Sequence, residues 1–311
     1  MTPAILAADI GGTKINLALV DPTATPAHLH DVQTCPTPAH EGPSAVLEAV
    51  AHLGRKALET AGLTACDAVG IATAGIVDQA TGTITHATDS IRGWAGTPVA
   101  KFVADTFGAP CSVLNDVHAH GLGETMHGTG RDLPSLLMVA VGTGIGGALI
   151  TGGEVATGTH GLAGHIGHVP CAEATGVPCT CGREGHLEGF ASGPGIAAAY
   201  ARHAGLPIGS VETRDVAARA ADGEEMAAEV LTAAGFATGR IIGGLLNAFD
   251  PAAVAITGGV TATGPIWWQA LRAGVRHDAM DPVSTTPVRE ATAGNHAALL
   301  GAAHQASATL T

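Results

Sequence analysis

The sequence predicts an α/β protein of two domains. Three observations carry that expectation. The chain has 311 residues, and about 150 residues per domain makes two domains the natural division. Its composition is 46% apolar with 44 glycines, without a G-X-Y period or a polar low-complexity tract, which excludes fibrous and disordered classes. A strand, a glycine turn and a second strand also occur in succession twice.

The first occurrence runs from Ala4 to Val20: an apolar run, then Asp-Ile-Gly-Gly-Thr-Lys, then Ile15, Leu17 and Leu19 in alternation. Pro22, Pro26, Pro36 and Pro38 then predict a loop region. From Pro43 to Ala61 the apolar positions Val46, Leu47, Val50, Leu53 and Leu58 follow a helical period. A strand is expected over Ala68 to Thr73, running into Ala74-Gly75. A short strand over Ser112 to Leu114 ends at Asn115-Asp116, with a helix from Val117. The second occurrence begins at Leu136, with a strand to Val141, the turn Gly142-Thr-Gly-Ile-Gly, and a strand through Ile150. Residues 160 to 190 are rich in Gly, His and Cys with little periodicity. Helices follow from about Pro194 to Phe249, then a strand from Ala253 to Thr257 meeting Gly258-Gly259, and an alanine-rich helix from about His296 to Ala308. The domain boundary is placed near residue 116, giving domains of 1–116 and 117–295, with the C-terminal helix 296–311 expected to rejoin the first.

Acidic residues outnumber basic ones by 27 to 14, a net charge of −13, and only three of the basic residues are lysine. A nucleic-acid partner is not expected, because such binders present a basic stripe that displaces counterions. No apolar run reaches the roughly 18 to 20 residues that span a bilayer. Asp9 interrupts what would be the apolar region of a signal peptide. A cytoplasmic protein without a membrane partner is expected. Six cysteines are present: Cys35, Cys66 and Cys111 are scattered, whereas Cys171, Cys179 and Cys181 cluster, which in a reducing compartment points to metal.

Glycine turns let backbone N–H groups approach an anion without an intervening Cβ. Gly142, Gly144 and Gly147 satisfy G-x-G-x-x-G, yet no helix follows, so the dinucleotide-binding reading fails on context. No P-loop motif occurs. Such turns are also ordinary hairpin turns. Asp9 alters the balance, because an acid ending a buried strand is costly unless it meets a cation or donors. Magnesium with nucleotide phosphates would meet that need: Asp9 through a metal-bound water, Thr13 and the amides of Gly11 and Gly12 on phosphate oxygens, and Lys14 nearby. Two such hairpins, one per domain, predict an actin-like (ribonuclease H-like) fold with a cleft between the domains.

His168, Cys179, Cys181 and His186 fall within nineteen residues of a segment with no hydrophobic pattern of its own. Four N and S donors suit tetrahedral zinc, and a site filled by four protein ligands is structural. Cys171 and His165 are rival ligands. Asn115-Asp116 could cap a helix. Beside a nucleotide they could equally serve transfer to an alcohol, the carboxylate taking the hydroxyl proton and the amide binding a neighbouring hydroxyl. Glu188 would be fixed by the folded metal loop. His165 and His168 could both face a ligand, His168 holding zinc through one ring nitrogen and a sugar hydroxyl through the other. The remaining histidines, such as His118 and His120, are expected to be solvated.

Across nearly the whole chain, these motifs resemble the ROK family of sugar kinases and repressors. The resemblance rests on Asp9-Ile-Gly-Gly-Thr-Lys14, Ala72-Thr-Ala-Gly-Ile-Val77, Asn115-Asp116, Val141-Gly-Thr-Gly-Ile-Gly-Gly147, Gly161-Leu-Ala-Gly-His-Ile-Gly-His168, Cys179-Thr-Cys-Gly-Arg-Glu-Gly-His-Leu-Glu188 and Thr257-Gly-Gly259. It implies ATP-dependent phosphorylation of a hexose, Asp116 as base, structural zinc and a homodimer. It also implies that Asn115, His165, His168, Glu188 and Gly75 bind sugar. The turns at Gly11-Gly12, Gly142-Thr143-Gly144 and Gly258-Gly259 would bind nucleotide.

Departures from the family pattern bear on the sugar. Most family glucokinases have Glu where this chain has His165, and the change falls where 2-acetamido sugars differ from glucose. The string Gly161 to His168 and Ala191-Ser-Gly-Pro-Gly-Ile-Ala-Ala198 are similar to those of family members acting on N-acetyl-D-mannosamine. That sugar, phosphorylated at its 6-hydroxyl in amino-sugar breakdown, is therefore the expected substrate, with glucose or another N-acetylhexosamine as the alternative. His186 replaces the family's usual third cysteine, and Ser90 stands where an asparagine commonly binds sugar. A non-catalytic regulator of the family would carry an N-terminal helix-turn-helix, for which a phosphate turn beginning at residue 11 is expected to leave no room.

Overall fold

The computed structural model describes residues 3–21 and 28–310. The chain divides into two compact units, one of Met1–Asp132, Leu149–Ala163 and Thr292–Thr311, the other of Leu133–Ala148 and Gly164–Ala291.

The first unit contains β1 (Ile5–Ile10), β2 (Lys14–Asp21), β3 (His28–Pro36), α1 (Pro43–Thr60), β4 (Ala68–Thr73), β5 (Ile76–Asp78), β6 (Thr83–His86), α2 (Val99–Phe107), β7 (Cys111–Asn115) and α3 (Asp116–His127). Its main sheet has the order β3-β2-β1-β4-β7. The pairs β1–β2 and β2–β3 are antiparallel, and β1–β4 and β4–β7 are parallel. The second unit opens with β8 (Ser135–Val141) and the first part of β9 (Ile145–Thr151), while the end of β9 and β10 (Glu154–Val155) fall in the segment Leu149–Ala163 of the first unit. The second unit continues with α4 (Leu187–Ala191), α5 (Gly193–His203), α6 (Thr213–Ala221), α7 (Glu225–Phe249), β11 (Val254–Thr257), α8 (Pro265–Asp278) and β12 (Val288–Glu290). The chain closes with α9 (Ala297–Ser307), back in the first unit. The second sheet has the order β10-β9-β8-β11-β12. In both sheets the strands follow the sequence order third, second, first, fourth, fifth, so the motif repeated in the sequence is a repeated topology.

The strand β1 is buried on both faces, as a near-continuous apolar run requires. Leu6, Ala8 and Ile10 pack with Val46, Leu47 and Val50 of α1. The alternate residues Ile5 and Ala7 pack with Leu299, Leu300, Ala303 and Ala306 of α9. Full burial of a leucine contributes about 1.5–3 kcal/mol, so α9 is a principal part of this core. Its small residues allow backbone contact: a Cβ on Gly301 would lie 1.8 Å from the Ala119 carbonyl oxygen, and one on Gly123 2.0 Å from that of Ala297. This packing of α3 on α9 carries the first unit past the expected break at residue 116.

Glu124 of α3 is fully buried. Its carboxylate accepts the N–H groups of Thr129 at 2.8 Å, Thr292 at 3.0 Å and Ala293 at 2.7 Å. Those amides flank the chain's first departure into the second unit and its last return from it.

Several expectations need correction. The region read as a loop contains the edge strand β3, with a register irregularity opposite Leu17–Leu19 and a left-handed φ of 42° at Asp31. Pro36 ends that strand, and an edge position tolerates proline; Pro22 and Pro26 lie outside the described residues. His118 is not solvated but 1% exposed, its Nε2 2.8 Å from the Ala163 carbonyl oxygen. His120 is also largely covered, 3.9 Å from Glu124. No uninterrupted apolar run spans a bilayer, as expected, although α7, which contains Glu229 and Arg240, is alone among the described residues long and apolar enough on average to cross a membrane by length and composition. Its Leu231, Ala234, Ile242 and Leu246 belong to the second unit's core, the usual place of such a helix in a packed domain.

Candidate active site and metal centre

In the first unit, Asp9 is the last residue but one of β1 and pairs across the hairpin with Asn16. Burial raises its carboxyl above the ordinary value, against the hydrogen bond of Asn16 and the charges of Lys14 and His296. The turn is tight: the Gly11 N–H donates to the Lys14 carbonyl at 3.0 Å, and the Thr37 hydroxyl donates to the Gly11 carbonyl at 2.6 Å. Thr13 and Lys14 are exposed. Ser90 packs on this turn, its Cβ 3.1 Å from where a Cβ on Gly12 would be.

Asn115 is the N-cap of α3, its Oδ1 accepting the N–H groups of Val117 at 3.0 Å and His118 at 3.4 Å. Its Nδ2 donates to the Gly75 carbonyl at 3.1 Å, and the same side chain hydrogen-bonds to the Asp116 carboxylate, so both amide hydrogens are engaged. Gly75 itself holds φ 105° with the His86 carbonyl 2.7 Å from an imagined Cβ, so no larger residue fits that bend. Asp116 opens the helix, its Oδ1 accepting from Val117 N at 2.9 Å. Although partly solvent-accessible, its carboxyl is pushed up to about 6, first by enclosure in protein and then by the charge of Asp9, against hydrogen bonds from Val117, Asn115 and its own backbone.

In the second unit, the turn between β8 and β9 is closed by a 2.9 Å bond from the Gly142 N–H to the Gly144 carbonyl. The Gly193 N–H donates to the Gly142 carbonyl at 2.8 Å. Gly258, with φ 101°, lies against the backbone of Val141, and a Cβ on Gly142 would lie 3.9 Å from Gly259 N. The predicted phosphate turns 142–144 and 258–259 therefore form one surface within this unit. Glu188, in the first turn of α4, accepts the Ile145 N–H at 2.9 Å on one oxygen and the Thr180 hydroxyl on the other. Sequence reasoning missed both partners.

The four predicted metal ligands come together. The ligand atoms of His168, Cys179, Cys181 and His186 all lie within 4.8 Å of one another. Cys179 Sγ is 3.6 Å from His168 Nδ1, and Cys181 Sγ is 3.3 Å from His186 Nδ1. Tetrahedral zinc with bonds of about 2.0 Å to nitrogen and 2.3 Å to sulfur spaces its ligand atoms by about 3.3–3.8 Å, so the donor set fits that ion. Two thiolates balance its charge. The rivals Cys171 and His165 fall outside the cluster; the His165 ring stacks on that of His168 at a centroid distance of 6.3 Å. The segment carrying both histidines lies flat on β9, because a Cβ on Gly164 would meet the Gly147 carbonyl at 2.1 Å.

The profile of the ROK family matches residues 5–308, and the chain belongs to that family. It is 33% identical over 255 residues to the N-acetylmannosamine kinase of Citrobacter koseri, 82% of this chain and 83% of that protein. It is 29% identical over 312 residues to a glucokinase of Halalkalibacterium halodurans, 94% of this chain and 92% of that protein. Among solved structures it resembles the ROK hexokinase from Thermus thermophilus with a TM-score of 0.88 and 31% identity, covering 99% of each chain. The repeated sheet order is thus that of the actin-like ATPase fold.

Proposed function

We propose that this ROK-family chain is an ATP-dependent sugar kinase that phosphorylates N-acetyl-D-mannosamine at its 6-hydroxyl, with Asp116 as general base. The observation that carries the reading is the Asp116 carboxyl, pushed up to about 6 beside a second carboxylate. A base with its pKa just below neutrality is mostly ionised yet a stronger proton acceptor than an ordinary aspartate. Asp116 takes the 6-hydroxyl proton as the oxygen attacks, and the Asn115 amide, already hydrogen-bonded to Asp116, shifts to hold an adjacent hydroxyl. Bound ATP with magnesium supplies the phosphoryl group and neutralises its charge. Asp9 would hold that ion through water, and Thr13, Lys14 and the amides of the glycine turns would bind phosphate oxygens. His168, Cys179, Cys181 and His186 would hold structural zinc, which would order this loop and leave the second His168 ring nitrogen for a sugar hydroxyl.

His165 supports the 2-acetamido sugar, because an imidazole replaces the family glucokinases' carboxylate at the position expected to read the sugar's first carbons. A glucokinase reading is favoured by the relative from H. halodurans, which matches more of the chain. Rates with ATP on N-acetylmannosamine, N-acetylglucosamine and glucose, measured side by side, separate the two. The highest kcat/KM is expected on N-acetylmannosamine, and a preference for glucose overturns the substrate assignment. Asp116→Ala is expected to be folded, zinc-loaded and without turnover; retained turnover removes Asp116 from the base role. The protein is further proposed to be a homodimer, which sedimentation measures directly.

A further inference from the structure

Thr180 stands between Cys179 and Cys181, two of the four clustered donors, and its own side chain is not one of them. Its hydroxyl donates to Glu188 Oε1. The other oxygen of that carboxylate accepts the backbone N–H of Ile145 at 2.9 Å, the first residue of β9 and the next after the turn Gly142–Gly144. That approach depends on glycine: a Cβ on Gly144 would lie 2.7 Å from Glu188 Oε2. A carboxylate shared by two donors is held against rotation in a way that one donor cannot provide, and bonds to an ionised acceptor are the stronger kind.

We propose that Thr180 is a positioning residue that couples the metal loop to the glycine turn. Metal held by Cys179 and Cys181 fixes the backbone between them. The Thr180 hydroxyl then fixes the Glu188 carboxylate, and the carboxylate fixes the Ile145 amide and the turn before it. Emptying the metal centre therefore loosens residues 142–145 with no change in any residue of the turn. The consequence for nucleotide affinity rests on the reading that this turn binds phosphate, whereas the mechanical link does not.

Two measurements keep the two apart. Amide hydrogen exchange at residues 142–145 is followed in the full-length protein without nucleotide, comparing zinc-loaded wild type, wild type stripped by a chelator, zinc-loaded Thr180→Val and zinc-loaded Thr180→Ser. Loss of one charge-assisted bond should speed exchange at Ile145 about tenfold or more in the stripped protein and in Thr180→Val. Thr180→Ser, which keeps the hydroxyl, should match wild type. Unchanged exchange on stripping, or a Ser variant as fast as the Val variant, overturns the link. Thr180 is exposed, so the core is untouched by either change; should the Val variant fail to hold zinc, the stripped wild type and the Ser variant still decide. Calorimetry with a non-hydrolysable ATP analogue and magnesium is the second measurement. Thr180→Val should bind it about tenfold more weakly than wild type. Wild type without any affinity for the analogue overturns the nucleotide reading alone. Wild-type affinity in a Val variant whose turn exchanges faster overturns the coupling to nucleotide.

Discussion

Replacing Asp116 by Asn should destroy turnover and at the same time stabilise the ligand-free protein. The carboxyl is raised from 3.8 to about 6, and each pKa unit corresponds to about 1.4 kcal/mol, so ionising it in the folded chain costs up to about 3 kcal/mol. Because the group keeps some solvent contact, screening reduces the recoverable part to about 1–2 kcal/mol. Asn is neutral at every pH and keeps an oxygen for the Val117 N–H. The direction with pH follows from proton binding. Between 3.8 and 6 the folded state holds this proton more tightly than the unfolded state, so its contribution to stability is complete below 3.8 and lost as pH rises through 6. The advantage of Asp116→Asn is therefore small near pH 4, grows to about pH 6 and is constant above. Paired thermal melts at pH 5 and pH 8, with no sugar or nucleotide, should give a rise of about 2–6 °C at pH 8 and a smaller one at pH 5. A variant that melts at or below wild type at pH 8, or gains as much at pH 5, contradicts the assigned strain on this carboxyl. Stability given up at a reacting group is a common trade.

Three further outcomes are expected. Purified protein should contain one zinc per chain by elemental analysis; Cys179→Ala should lose it, with a melting temperature several degrees lower and rapid proteolysis within residues 168–186, since the ion supplies order that this segment's side chains do not. Glu124→Gln should cost about 2–4 kcal/mol in a urea titration, because a fully buried acceptor of three amides loses one oxygen and presents N–H groups to other donors; an unchanged midpoint would show that those amides find water instead. His165→Glu should move kcat/KM toward glucose and away from N-acetylmannosamine by about tenfold or more, read from the same sugar panel; no change in the ratio takes His165 out of sugar selection.

The elements that were legible in the sequence are those whose physics is local. The β1 run, the turn at Gly11-Gly12 and the turn at Gly142-Thr143-Gly144 announce themselves by composition over a few residues. The ligand quartet also lies within one short segment. Contacts between distant positions left weaker traces. The docking of α9 on Ile5 and Ala7 depends on Gly301 and Gly123, whose value is the absence of a side chain, and no period marks it. Prolines around β3 hid an edge strand. Glu124 reads as one more acid on a helix until Thr129, Thr292 and Ala293 are brought to it. At the site, Asn115 supports both readings of its motif, since its oxygen caps α3 while its amide hydrogen-bonds to Asp116. Glu188 was legible as a fixed carboxylate, but its bonds to Thr180 and Ile145 could not be read from spacing, because they join residues 8 and 43 positions away.

The placement of α9 has a consequence for how the protein is made. The strand β1 finds the apolar cover for one of its faces only in α9, which is made after the whole of the second unit, and the buried grip of Glu124 stays incomplete until Thr292 and Ala293 have been added. During synthesis the growing polypeptide thus carries a greasy strand face with no native lid, the kind of surface that chaperones hold and that aggregates when they do not. The unit begun before the other is also completed after it, and a truncation that removed α9 would leave β1 half bare.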